Sequence, residues 1–126
     1  MGYASGSCVM TRAFDFTDTI KQQARLRQHG LCACCGALLD DLVEHAHHVV
    51  PNQSGHPGNV DHLWLKSAEN CVVLCDVCHL RVHENGRYRA GAVAPPDYFN
   101  HSHGHNTPAH RRWSEQLQTK LARIWT

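Results

Sequence analysis

Cys32-Ala33-Cys34-Cys35-Gly36 and Cys75-Asp76-Val77-Cys78-His79-Leu80-Arg81-Val82-His83 are the two stretches that decide how this chain folds. Each holds a Cys-x2-Cys pair, Cys32 with Cys35 and Cys75 with Cys78, and 39 residues separate the pairs. Paired thiolates at that spacing are the pattern of a tetrahedral four-cysteine zinc site joining two distant hairpins. Such a site has no open coordination position, so its expected role is to hold a scaffold. In a small domain that contribution is large, on the order of 10 kcal/mol for structural zinc in peptides at neutral pH. The rival reading, a redox dithiol, needs a βαβ setting that this sequence lacks. The odd count of seven cysteines also argues against a disulfide framework. Cys34 could replace Cys32 or Cys35 with altered spacing, although two-residue spacing favours those two. Cys8 and Cys71 read as free thiols, Cys71 buried in a strand.

Outward from these pairs, the apolar stripe Phe16, Ile20 and Ala24 predicts a helix over about residues 17–29, with Gly30 as its stop. Gly36 suits the left-handed backbone of a knuckle turn. Leu42 to Val50 reads as a strand ended by Pro51, and 52–59 as a loop. Cys71 to Leu74 reads as a buried strand, Cys75 to Cys78 as a second knuckle, and His79 to Asn85 as a short helix closed by Asn85-Gly86. The proline- and glycine-rich stretch 90–110 reads as a loop, including Pro108. From Arg111 onward, Trp113, Leu117, Leu121 and Ile124 share one face of a terminal amphipathic helix.

Twelve histidines are the second excess. His79 and His83 stand four apart, so on a helix they share a face and can approach one cation together. In Glu44-His45-Ala46-His47-His48-Val49-Val50-Pro51, strand alternation sends His47 and His48 to opposite sides. One of the two can then bind a cation while the other faces something else. His45, Glu44 and His62 read as surface or supporting groups, and His101, His103, His105 and His110 as a solvated loop cluster.

Taken jointly, these residues resemble the HNH endonuclease family, also called the His-Me finger or ββα-metal fold, over about residues 30–85. The resemblance rests on the paired Cys-x2-Cys knuckles, the His47-His48-x-x-Pro51 strand end, Asn70 before the second strand, and Cys78-His79-x3-His83 leading into a helix. It implies an α+β fold whose ββα-metal core is stapled by the four-cysteine zinc site and flanked by N- and C-terminal helices. It further implies that His48 is the general base, that His47 fills a ligand position often held by Asp, that His79 is a metal ligand, and that Asn70 braces the loop and orients the base. His83 matches the additional histidine ligand of the colicin-type branch. Histidine in place of Asp at position 47 removes a negative charge, favouring Zn²⁺, Ni²⁺ or Mn²⁺ over Mg²⁺ as the catalytic cation. The triplet Ala46-His47-His48 is similar to the AHH group of bacterial polymorphic-toxin nucleases. That likeness implies an antibacterial effector domain with a cognate immunity protein, delivered into target cells as a secreted effector. The alternatives are a phage or mobile-element nuclease and a non-catalytic zinc-binding DNA-interaction module.

The same chemistry follows from elementary requirements. Phosphodiester hydrolysis needs a nucleophilic water, charge stabilisation on the phosphoryl oxygens and help for the departing 3′ oxygen. An imidazole with an ordinary pKa of roughly 6.5, here His48, can take the water proton at neutral pH. A cation on His47, His79 and His83 would supply the rest.

Composition bounds the setting. A chain of 126 residues and 14.1 kDa, 42% hydrophobic, fits one domain over 1–126, with the loop and terminal helix occupying 90–126. No apolar run reaches the length of a membrane span, and the first residues lack the pattern of a secretory signal or lipid anchor, so a cytoplasmic site of action is expected. Net charge is only +1, yet it is segregated. Residues 1–30 carry four Lys or Arg against two acids, 31–80 one against six, and 81–126 seven against three. An acidic, cation-collecting centre between basic flanks suits a DNA partner, with Arg81, Arg87, Arg89, Arg111 and Arg112 as candidates for phosphate contacts with little sequence preference.

Overall fold

The structure, a computed structural model, describes residues 14–84 and 94–124. It combines three helices with a two-stranded antiparallel sheet. Helix α1 spans Asp18–Arg27 and starts where sequence expects. Thr17 caps it by accepting from the Ile20 amide at 3.2 Å, and Asp18 complements the positive end of the helix dipole. It ends through Gln28, after which His29 and Gly30 both take left-handed backbone, at φ 57° and 72°.

The chain reverses at Cys32 to Gly36, where the Gly36 amide donates to the Cys32 carbonyl and the Cys32 amide to Ala37. Gly36 sits at φ 75°, and a Cβ there would lie 3.0 Å from the His101 ring, so only glycine suits this turn. Strand β1 (Glu44–His48) pairs with β2 (Cys71–Cys75), with Glu44 opposite Cys75 and His48 opposite Cys71. Every residue of β2 is buried. Its outer edge is closed by a side chain: buried Gln28 donates to the Val73 carbonyl at 2.9 Å and accepts from the Val73 amide at 2.8 Å. One amide group thus supplies the pairing that a third strand would have given, and it locks α1 to the sheet.

Helix α2 (Asp76–Glu84) begins at the residue after β2 ends. The expected second knuckle is therefore not a separate turn, because Cys78 already lies in the helix's first turn. Nor does the first strand run from Leu42 to Val50. Beyond His48 the backbone is taken over by Asn70, whose carbonyl accepts from Val49 and whose side chain brackets Val50, accepting from its amide at 2.8 Å and donating to its carbonyl at 3.0 Å. Asn70 also donates to the Leu65 carbonyl at 2.9 Å and is fully buried. The intervening loop contains 3₁₀ turns at Asn52–Ser54, Val60–Lys66 and Ala68–Asn70.

Helix α3 (Pro108–Ile124) starts three residues before Arg111, with Pro108 as its first helical residue. A fixed φ and a missing N–H suit that position, so this proline opens the helix instead of belonging to the loop. Trp113 and Leu117 are buried as expected. The loop before α3 is solvated only in part: His105 and Asn106 are exposed, whereas Ser102 and, in the helix's first turn, His110 are buried. Ser102 is fully buried and its hydroxyl lies 3.1 Å from Nδ1 of both His103 and His110. The His103 ring packs on Trp113, and His101 packs on His105. Arg27 ties these parts together, donating to the carbonyls of Ser102, Ala68 and Cys71 while its guanidinium stands 5.9 Å from the Trp113 ring centre. Among the described residues no helix is long and apolar enough to cross a membrane. Asn85-Gly86 and Cys8 lie outside the described residues.

Two outcomes follow. Asn70→Ala strips hydrogen-bond partners from three buried backbone groups, so chemical denaturation is expected to show a loss of about 3 kcal/mol; a loss under about 1 kcal/mol would contradict the bracing role. Burial also holds the His103 imidazole down at about 4, from an ordinary 6.5. An unfolded chain takes up this proton near pH 6.5 and the folded chain resists it until about pH 4, so the contribution is complete above that window and is lost as pH falls through it. The thermal midpoint should therefore drop more steeply between pH 6.5 and 4 for the parent than for His103→Gln; equal slopes would refute the account.

Candidate metal centres and the histidine groove

Cys32 and Cys35 come from the glycine-closed turn, Cys75 from the end of β2 and Cys78 from the first turn of α2. Their sulfurs all lie within 4.8 Å of one another, close enough to hold a metal such as zinc. Cys35 Sγ and Cys75 Sγ are 3.9 Å apart. Two corners of a tetrahedral zinc–thiolate site are separated by about 3.8 Å when Zn–S is about 2.3 Å, so the spacing suits that ion. The Cys75 amide donates to Cys32 Sγ at 3.4 Å. Burial, followed by the charge of neighbouring Cys32, pushes the Cys78 thiol far up. Cys34 stands outside this four-membered group, and burial raises its thiol as well. Cys71 is fully buried with its thiol pushed up to about 12, mainly by desolvation, as expected of an inert core cysteine.

A second group, His47, His79 and His83, brings its ring nitrogens within 4.8 Å of one another. His47 is buried on the β1 face that meets α2, and the rings of His79 and His83 stand edge-on to it at 5.8 and 5.7 Å. Nε2 of His79 and Nε2 of His83 are 3.2 Å apart. For Zn–N of about 2.0–2.1 Å, tetrahedral geometry separates two nitrogens by about 3.3 Å, so this pair also fits a shared cation. Burial, and then His79 and His83, push the His47 imidazole well below its ordinary value, which keeps it neutral with a lone pair to offer.

His48 points to the opposite face of β1. Its Nε2 lies 2.7 Å from the Phe14 carbonyl, which can only accept, so Nε2 carries the proton and Nδ1 the lone pair. The ring stacks on Phe16, with centroids 3.8 Å apart and an interplanar angle of 15°. The two faces meet at one groove of about 430 Å³, which His48 and His79 border together with His45, Phe16 and Lys21. Sequence reasoning left His45 among surface groups and did not find Lys21. In the structure His45 stacks on His79 at 4.4 Å and its Nε2 lies 2.8 Å from an oxygen of Asp76. The signal available was the two-residue step from His45 to His47, which puts both on one strand face.

The remaining candidates are spread out. Arg81 borders an apolar groove beside Cys75 and Cys78, whereas Arg112 borders a separate, polar groove beside Arg27 and Trp113. Arg111 is exposed and donates to the Asn106 carbonyl at 3.2 Å. Arg87 and Arg89 lie outside the described residues. Glu44 pairs with Arg25, and His62 accepts from the His56 amide.

Elemental analysis of the purified chain is expected to find one tightly held zinc, lost together with cooperative unfolding in Cys35→Ser. Titration with Mn²⁺ or Ni²⁺ should add a second ion that His83→Ala weakens without disturbing the first. A parent chain that retains no metal, or a second ion held equally well by His83→Ala, would contradict these assignments. Neither protein-family models nor curated proteins nor solved structures match the chain.

Proposed function

We propose that the chain is an HNH-type, metal-dependent endonuclease that hydrolyses phosphodiester bonds of DNA with low sequence specificity. The observation that carries this reading is the single groove bordered by both His48 and His79, with His47 and His83 completing the imidazole cluster. The succession β1, β2, α2 with these histidines on it supports a ββα-metal core.

His48 acts as general base. Its Nε2–H, held by the Phe14 carbonyl, and its stack on Phe16 fix the ring so that Nδ1 can accept a proton from water. As the water oxygen bonds to phosphorus, the P–O3′ bond breaks and the proton passes to Nδ1. His47, His79 and His83 would hold a divalent cation, which when bound supplies Lewis-acid stabilisation of the phosphoryl charge and the departing 3′ oxygen. Asn70 acts one step away, by bracketing Val50 and thereby fixing the strand end that carries His48. Lys21 at the groove, with Arg81, Arg111 and Arg112 elsewhere, suits backbone contact without base reading.

Plasmid nicking with Mg²⁺, Mn²⁺, Ni²⁺ or Zn²⁺ tests this directly. His48→Ala should keep the fold and both ions while losing about 10²–10⁴-fold in rate, the usual contribution of a general base. Nicking at the parent's rate would remove His48 from the mechanism, and an inactive parent would favour a binding module. The Ala46-His47-His48 triplet supports an antibacterial effector setting. Expressed inside bacteria, the parent should then arrest growth and His48→Ala should not; harmless expression of an active enzyme would exclude that setting.

A further inference from the structure

We propose that His45 is a positioning residue: a stacked imidazole that fixes the ring of His79 so that its Nε2 faces the cation site. The inference rests on the reading of His47, His79 and His83 as ligands, and it concerns how one of them is held.

A histidine that binds a metal through one nitrogen usually donates its other N–H to a carboxylate, a carbonyl or water, which fixes both tautomer and ring orientation. Among the described residues, no carboxylate or carbonyl gives His79 that support. Its hydrogen-bonding contact is Nε2 with Nε2 of His83, and among the described residues nothing bonds its Nδ1. Left alone, the ring could turn about its last side-chain torsion, which is broad for histidine, and swing Nε2 out of the cluster.

What opposes the turn is His45. Its ring lies nearly parallel to that of His79, with centroids 4.4 Å apart and an interplanar angle of 13°. Rotation of His79 would drive its edge into the face of His45. The His47 and His83 rings meet His79 at steep interplanar angles of 80° and 76° instead, so the ring stacked flat on it is that of His45. His45 is itself held, because its Nε2 lies 2.8 Å from Oδ1 of Asp76. Asp76 opens α2 and stands three residues before His79, so on the helix surface the two are neighbours. Bond and stack therefore close a ring of contacts through one strand residue and one helical turn. Both His45 and His79 border the groove that contains His48.

The test is cation titration of the full, zinc-loaded chain, using Mn²⁺ and Ni²⁺ and read by calorimetry. His45→Ala is expected to weaken the added cation about 10–100-fold, the usual effect of losing an outer support, while leaving the sulfur-bound ion and the thermal midpoint unchanged. His45→Phe keeps a flat ring without the Asp76 bond and should retain most of the affinity. His45→Gln, which keeps polar reach but no ring, should behave like His45→Ala. In plasmid nicking, the His45→Ala defect should vanish at saturating Mn²⁺, which a general structural fault would not allow. Parent-like affinity in His45→Ala, or equal loss in His45→Phe and His45→Ala, would overturn the stacking role. A parent chain that takes up no second cation would instead overturn the ligand reading itself.

Discussion

The convergence of Cys32, Cys35, Cys75 and Cys78 is the constraint on which the rest of this small fold depends. It brings a turn following α1 to the junction of β2 and α2, two places far apart in sequence, beside a sheet that has two strands among the described residues. A two-stranded sheet is marginal by itself in water. Here it is closed on one edge by the Gln28 amide, covered by α1 and ends beside four cysteine sulfurs able to hold a metal. With three of the four cysteines buried and their sulfurs at ligand spacing, folding and metal uptake should be one event.

The imidazole cluster shares a helix with that sulfur cluster. Because α2 starts at Asp76 without an intervening loop, Cys78, His79 and His83 ride on one helix whose first turn carries a member of the sulfur cluster. The hairpin register then does the rest: Glu44 opposite Cys75 carries His45 and His47 to the helix side and leaves His48 on the other. A shift by one residue would exchange these faces, burying the proposed base and exposing a ligand. Asn70, by ending the pairing at His48, fixes where the strand stops and hence where its last side chain points.

Much of this was legible in sequence. The Cys-x2-Cys spacing named all four sulfurs, the four-residue step named His79 and His83, and alternation separated His47 from His48. Those signals are local, because one backbone period determines each of them. What stayed hidden depends on contacts between distant segments. Gln28 serves as an edge partner because α1 happens to lie beside Val73. His101, His103 and His110 looked polar and solvated, yet the loop folds back onto the Gly36 turn and Trp113 and buries much of them. Pro108 read as part of a loop because proline composition alone does not distinguish a loop from a helix start. His45 reads as a surface group in sequence because its partners, Asp76 and His79, face it from another element.

X-ray absorption spectroscopy at two metal edges addresses the central claim, two separate ion pockets in one scaffold, most directly. With zinc in the tight site and manganese added, the zinc edge should report four sulfur neighbours at about 2.3 Å and no nitrogen, and the manganese edge nitrogen and oxygen neighbours without sulfur. A single mixed sulfur–nitrogen shell at zinc, or a manganese signal no different from ions in buffer, would contradict it.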